Sequence, residues 1–575
     1  MNKNRPFIKT LPFFLLGLTQ FVFAAQPAII DQQTIFHPII GSRGMVASQE
    51  ALASQVGLGI LQQGGNAVDA AVAVGFALAV TLPKAGNLGG GGFMLVHLAE
   101  RDKIIALDYR EMAPLGASRN MFLDAEGEVN PQLSRNSYRS AAVPGTVAGL
   151  LQALREYGTM EPKQVISPAI ELASKGFVLS HALADELKSR RTQLSRSEAG
   201  RKIFFKVDGS AYKAGERFIQ KDLAWSLKQI ARQGEKAFYQ GEIAKRFAAD
   251  SNKNGGLIGL DDLAAYTVAE REPVQGSYRD YQVVSMPPPS SGGVHVLQML
   301  NILEGYDLKA LGHNNADYLH LLTEAMKHAY ADRSEYLGDP DFVEVPVADL
   351  LSKQYAKRLS THIDFSEARA SDDIKPGKDL PFESHDTTHY SVADSEGNVV
   401  SNTYTLNFSY GSGIVVAGTG ILLNNEMDDF SAKPGTPNAF GLLGGDANAI
   451  TPRKRPLSSM TPTIVLKNNK PYLVVGSPGG SKIINVVLQV ILNVLDHDMN
   501  IAEASSVPRI HHQWYPDTLN VERGFSGDTL KLLQQKGHKV ETSRTLGSTQ
   551  SILIENGVFY GASDPRRPGA KTLAY

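Results

Sequence analysis

The chain has 575 residues, 42% of them hydrophobic and 20% charged, with a formal net charge of −2. Such a composition suits a globular protein with a large core, and a charge so near zero offers no broad basic surface for nucleic acid. There is no cysteine, which excludes disulfides, zinc–thiolate sites, iron–sulfur clusters and thiol nucleophiles.

At the N-terminus, Lys3, Arg5 and Lys9 precede the apolar run "LPFFLLGLTQFVFA", with small residues at Ala24 and Ala25. This is the layout of an export signal, residues 1–24, cut after Ala24 or Ala25. The alternative, a membrane anchor, is opposed by the shortness of the run and by Pro12 and Gln20. Removing the signal takes the charge from −2 to −5. An exported chain without cysteine fits a bacterial periplasmic enzyme that needs no oxidation to fold and has no stable membrane insertion.

Next, "SQEALASQVGLGILQQGGNAVDAAVAVGFALAVTLP" reads as two helices broken at Gly64-Gly65, the second apolar nearly all round and therefore buried. "GNLGGGGFMLVHLAE" runs from a glycine loop into a strand, and "KIIALDYREMAP" is a second strand ending in charge. The glycine run Gly89 to Gly92 lacks the Lys and Ser/Thr of a phosphate loop and the spacing of a dinucleotide fingerprint, so it reads as a tight turn with close backbone packing. From about 145 to 380, helical patterns such as "TVAGLLQALREYG" and "ADYLHLLTEAMKHAYADRSEYL" alternate with loops. From Thr388 onward the texture turns to β: "THYSVAD", "VVSNTYTL", "PTIVLK" and "PYLVVGS" are short, β-branched or alternating. Helices before and strands after predict an α+β fold with helical layers packed on sheets. "GSPGGS", Gly476 to Ser481, follows the strand "YLVV" and can present backbone N–H groups to an anion or an oxyanion.

The stretch "SHDTTHYSVAD", Ser384 to Asp394, admits several chemistries. Ser384, His385 and Asp386 are consecutive and alternate faces in extended chain, so they form no serine relay. His385 and His389 share a strand face but sit about 13 Å apart, too far to chelate one ion. A threonine nucleophile is better founded. Its hydroxyl needs an adjacent base, and an N-terminal threonine carries one in its own α-amino group, with a pKa of about 7.7–8.0. That requires a cut before Thr387, which follows the polar stretch "SDDIKPGKDLPFESHD". The hairpin loop "SEG" pairs Asp394 with Asn398 and so puts Thr387 opposite Thr405, with Asn407 one same-face step beyond. An ordinary Thr-rich strand start remains the other reading of these residues.

The motifs "AGNLGGGGFM", "LDYREMAP", "AVPGTVAG", "MPPPSSGG", "YADRSEYLGDP", "TTHYSVAD", "NNEMDDFS", "KRPLSSMTPTIV", "GSPGGS" and "GSTQSI" together resemble the γ-glutamyltranspeptidases, N-terminal-nucleophile hydrolases, over essentially the whole mature chain. The resemblance implies a four-layer αββα sandwich and a precursor that cuts itself between Asp386 and Thr387. A large subunit, 25–386, and a small subunit, 387–575, then stay associated as one intertwined domain. It implies that Thr387 is nucleophile and base, with Thr405 beside it, and that Gly479 and Gly480 form the oxyanion hole. Arg110, Ser458 and Ser459 are implied to hold a substrate α-carboxylate, and Asp429, Asn407 and Glu426 its α-ammonium. An Arg110 fork suits a carboxylate; without the resemblance, a surface ion pair with Glu111 or Asp108 would be the simpler reading. "KPGTPNAFGLLGGDAN" matches a lid, with Phe440 where bacterial relatives often carry Tyr.

The activity implied is γ-glutamyl hydrolysis and transfer from glutathione or similar amides to water, amino acids or peptides, without metal or organic cofactor. Two other functions use the same scaffold: a β-lactam side-chain (glutaryl) acylase, and a non-catalytic periplasmic glutamyl-peptide binding protein. A pocket with the charges of Arg110 and Asp429 opposes the first; a cut chain opposes the second.

Overall fold

A computed structural model describes residues 34–101, 103–374, 387–433, 435, 436, 438 and 441–575. The export signal, Asp386 and Phe440 lie outside the described residues.

Two seven-stranded sheets form the centre. The first runs, edge to edge, Lys571–Ala574, Gly44–Ser48, Thr388–Asp394, Val399–Thr405, Gly91–Leu98, Lys103–Tyr109, Ala269–Arg271. The second runs Ile39–Gly41, Val558–Ser563, Gln550–Glu555, Lys470–Val475, Thr463–Lys467, Tyr281–Ser285, Val274–Tyr278. Neighbours in both are antiparallel. Each sheet mixes strands from before residue 374 with strands from after 387.

Alternation along the strands sorts the core into layers. Val46, Met94, Val96, Tyr390, Val392, Val400 and Tyr404 face outward into a core shared with the helix Ala67–Thr81. Their neighbours Met45, Ala47, Phe93, Leu95, Ala393 and Val399 face the second sheet, whose far side carries the helices Gly292–Leu303, Ala316–Tyr336 and Ile483–Leu495. The order is helix, sheet, sheet, helix, as the resemblance implied.

The helix pair read from the sequence is Ala51–Gln62 and Ala67–Thr81, with Gly64 between them at φ +91°. Every residue of Ala67–Thr81 is buried. Asn66 and Asp69 form its capping box, and Asp394 at the end of the central hairpin accepts the Ala67 N–H at 2.8 Å. The buried helix is thereby pinned to the strand that begins beside Thr387.

Several elements depart from the sequence reading, and two of them shape the second sheet and its helical cover. The stretch from 145 to 380 includes a hairpin, Val274–Tyr278 with Tyr281–Ser285, whose single turn is short enough to hide among helical patterns. The β-textured half contains the helix Ile483–Leu495, "IINVVLQVILNVL". Its β-branched residues favour strand locally, but burial of nearly the whole helix against the second sheet outweighs that propensity. Among the described residues, no helix is long and apolar enough to cross a membrane.

Candidate active site

Thr387 stands one residue before the strand Thr388–Asp394. The hairpin register pairs Thr388 with Tyr404 and continues through Asp394, whose N–H donates to Asn398 O at 3.1 Å. That register places Thr387 opposite Thr405, as the loop length predicts. Thr387 is buried, and with Thr405 and Asn407 it lines one small pocket together with Arg110, Glu426, Asp429, Ser458, Ser459 and Gly480.

The glycine run sets the position of Thr405. Asn87 donates to Thr405 O at 2.9 Å and accepts from Gly90 N at 2.8 Å. A Cβ on Gly90 would lie 1.9 Å from Thr405 O, so only glycine permits this approach. Asn407 does not continue the strand. Its φ is +75°, its N–H donates to Thr405 Oγ1 at 2.9 Å, and its side-chain amide donates to Asn425 O at 2.9 Å. Its side chain reaches the pocket through this turn rather than by strand alternation.

Arg110 follows the strand Lys103–Tyr109 and is 1% exposed, so it is no surface ion pair. Asp108 holds the backbone there, accepting Arg110 N–H at 3.0 Å while pairing with Arg271 at 2.7 Å. The Arg110 guanidinium pairs with Glu426 through Nη1 and with Asp429 Oδ2 at 2.5 Å through Nη2. Its Nε donates to Pro456 O at 3.2 Å, and Glu111 lies 3.5 Å away.

The buried Glu111 and Glu426 and the partly buried Asp429 therefore surround one guanidinium, and their acidities reflect it. Burial opposes the charge on Arg110, but Glu426, Asp429 and Glu111 more than offset it and raise its pKa. Burial pushes Glu111 up to about 7 and Asp429 up to about 6, each partly offset by Arg110. Burial, with Glu111 and Asp429 nearby, drives Glu426 well above the usual carboxylate range. The cluster thus holds protons at pH values where exposed carboxylates have lost theirs.

The serines come from another segment. Ser458 O accepts both the N–H and the hydroxyl of Ser291 at 2.8 Å, which ties "PLSSM" to "MPPPSSGG". Gly479 and Gly480 have φ of +139° and +56° and lead through Gly480–Lys482 into the helix Ile483–Leu495. Backbone N–H groups at such a helix start favour negative charge. Gly480 lines the pocket, and Gly479, which precedes it in sequence, is not among the lining residues.

A family model described as Gamma-glutamyltranspeptidase matches residues 53–574. The chain belongs to the γ-glutamyltranspeptidase family. It is 55% identical over 545 residues to a glutathione hydrolase proenzyme of Escherichia coli (strain K12), covering 95% of this chain and 94% of that one. A solved γ-glutamyltranspeptidase from Helicobacter pylori is 51% identical over 57% of this chain and 93% of its own, with a TM-score of 0.56. A cephalosporin acylase from Bacillus halodurans superposes with a TM-score of 0.84 at 28% identity, over 96% of this chain and 99% of its own.

Beyond the residues implied by resemblance to the γ-glutamyltranspeptidases, the pocket contains a second buried cation. Arg333, from the helix Ala316–Tyr336, lines it and donates to Ser291 Oγ at 2.9 Å and to Ser459 Oγ at 3.2 Å. Its partners are hydroxyls, and burial pulls its pKa down to about 10, which leaves it cationic at neutral pH. Its signal in the sequence was its place in "YADRSEYLGDP". Asn448, at the end of the segment "KPGTPNAFGLLGGDAN", donates to Asp429 O at 2.7 Å and accepts from Leu457 N at 3.0 Å. It fastens the end of that segment to both sides of the pocket, and Leu442 of the same segment lines it. His389 faces away from metal chemistry: it bonds Thr403 Oγ1 at 2.8 Å and Ser391 Oγ at 3.1 Å, and burial lowers its pKa to about 3.

Proposed function

We propose that this chain is an exported, self-cutting γ-glutamyl hydrolase and transferase acting on glutathione and related amides. The observation that carries the reading is Thr387 beside a pocket in which a buried arginine faces two acidic side chains. The 55% identical relative named glutathione hydrolase proenzyme supports both the activity and the precursor.

In this reading Thr387 Oγ first attacks the carbonyl of Asp386. An N-to-O acyl shift gives an ester that water cleaves, leaving a large part, 25–386, and a small part, 387–575. The mixing of strands from both parts in both sheets supports their staying together. The freed α-amino group of Thr387 then serves as base. A γ-glutamyl donor is a zwitterion at its α-carbon. Its carboxylate takes the Arg110 fork, assisted by Ser458 and Ser459, while its ammonium takes Asp429, Glu426 and the Asn407 side chain. The donor thus inserts between ions already paired with one another, so no charge is left without a partner.

Thr387 Oγ attacks the γ-carbonyl, passing its proton to the α-amino group. The Gly479 and Gly480 N–H groups receive the oxyanion, an effect worth about 2.7–4 kcal/mol per donor. Collapse returns the proton to the leaving amine and leaves a γ-glutamyl ester on Thr387. Water then yields glutamate, and an amino acid or peptide amine yields a new γ-glutamyl compound. Thr405 holds the nucleophile, and the lid with Phe440 covers the glutamyl pocket. No cofactor enters this scheme.

The fold shared with a cephalosporin acylase keeps a β-lactam side-chain (glutaryl) acylase as a second reading. The Arg110–Asp429–Glu426 cluster favours a donor with both α-charges, because a buried ion left unpaired is costly. An assay of the purified protein with a γ-glutamyl anilide, with and without a dipeptide acceptor, and with a glutaryl anilide in parallel, separates the readings. Turnover of the γ-glutamyl compound, raised by the dipeptide, is expected. Turnover confined to the glutaryl compound would establish the acylase.

A further inference from the structure

On the helix Ala316–Tyr336, His320 and Glu324 are four residues apart and so share one face. His538 approaches them from beyond the helix Gly527–Gln535. All three are buried, at 0%, 1% and 5% exposure, and each offers a ligand atom within 4.8 Å of the other two. We propose that His320, Glu324 and His538 form a binding site for a divalent cation of the zinc class, separate from the catalytic pocket.

The hydrogen bonding supplies the reason. His320 Nε2 lies 2.7 Å from Asp364 O. A carbonyl oxygen only accepts, so Nε2 carries the proton and Nδ1 presents a lone pair. Metal-ligating histidines are held in this way, with the other ring N–H on a carbonyl. His538 Nε2 stands 2.7 Å from that lone pair and donates to it. In a tetrahedral site with Zn–N of about 2.0–2.1 Å, two ligand nitrogens stand about 3.3 Å apart. The two rings therefore need to separate by about 0.6 Å, and His538 to carry its proton on Nδ1 instead of Nε2, for a cation to replace the shared hydrogen.

The carboxylate is the second, independent observation. Glu324 Oε1 accepts from Lys327 Nζ at 2.9 Å, and that ammonium also donates to Arg369 O at 2.6 Å. Glu324 Oε2 is buried with no hydrogen-bond partner. An acceptor oxygen so placed is costly, and a cation held by the two imidazoles would satisfy it. Two imidazoles and a carboxylate are a donor set suited to zinc, and water can complete the fourth position. His320 and Glu324 precede the proposed cut and His538 follows it, so the cation would tie one product to the other.

The test uses the full purified chain, stripped with chelator and dialysed against zinc chloride at micromolar free zinc. One zinc per chain is expected by elemental analysis, together with a higher Tm than the stripped protein. His320→Gln, Glu324→Gln and His538→Asn should each bind zinc at least tenfold more weakly and lose the Tm rise, while keeping γ-glutamyl turnover. Glu324→Gln keeps an oxygen for Lys327, so it decides the matter if a histidine variant does not fold. Wild-type binding in Glu324→Gln, or no zinc on the wild type, overturns the site.

Discussion

The helix Ala67–Thr81 and the Arg110 pocket are buried to the same degree and are built from opposite materials. The helix has one charge, Asp69, which it uses on its own cap and on the N–H groups of Thr159 and Met160 at 2.9 and 3.0 Å. The pocket holds Arg110, Glu111 and Glu426 at 1% exposure or less, with Arg333 close behind. The helix needs only ordinary helical backbone, whereas the pocket is bounded by left-handed residues at Asn407 and Gly480. Burial stabilises the first directly. In the second, burial is a cost offset by ion pairing, and it is retained where a charged ligand must be read. Substitutions in the helix should therefore change stability without changing substrate affinity, whereas substitutions in the pocket should change substrate affinity, with any change in stability following the loss of ion pairing.

The largest effect is expected at Thr387. Thr387→Ala should give one uncut, inactive polypeptide by mass spectrometry, while Thr387→Ser, which loses the methyl that holds the rotamer, should cut more slowly and retain some turnover. Normal cutting in Thr387→Ala, or a wild-type fragment that begins at Thr388, would overturn both the nucleophile and the self-processing mechanism. Phe76→Ala, at 0% exposure in the helix, should cost about 3–5 kcal/mol of stability in denaturant titration. Its donor KM should stay at the wild-type value.

Arg110→Lys keeps the charge and loses the fork. With charge-assisted hydrogen bonds worth about 1.5–3 kcal/mol, donor KM should rise about tenfold to a hundredfold, with the cut intact. Unchanged kinetics would remove Arg110 from carboxylate recognition.

The pH response should show the two regions pulling apart. Asp429 is raised to about 6 in the fold, so the native state holds its proton more tightly than the unfolded chain. Its stabilising contribution is complete below about 4 and is lost as pH rises through 6. Donor binding needs the ionised form and follows the opposite course, with KM rising as pH falls below 6. Asp429→Asn should flatten the Tm profile between those values; an unchanged profile would separate Asp429 from both effects. The smallest effect is expected at Thr388, whose buried hydroxyl has no hydrogen-bond partner. Thr388→Val removes that hydroxyl at nearly constant volume and should shift stability by within about 1 kcal/mol. It should leave the cut at Thr387, because successive strand side chains face opposite ways. A blocked cut would implicate Thr388 in processing.

Much of the helical layer, the central hairpin and the location of the glycine turns was legible in the sequence, because each rests on local periodicity or turn chemistry. Ala67–Thr81 is apolar all round, and "SEG" alone sets the register that brings Thr387 opposite Thr405. The family motifs named most of the pocket as well. Tertiary structure alone decided that Ile483–Leu495 is a helix, since its β-branched residues favour strand until a sheet face buries them. It also decided that Arg110 pairs with Glu426 and Asp429, more than 300 positions away in sequence, that Arg333 reaches Ser459, and that His320 and Glu324 meet His538. Local propensity extends over a few residues. Ion pairs and side-chain clusters depend on distances that only the packed sheets and helices fix.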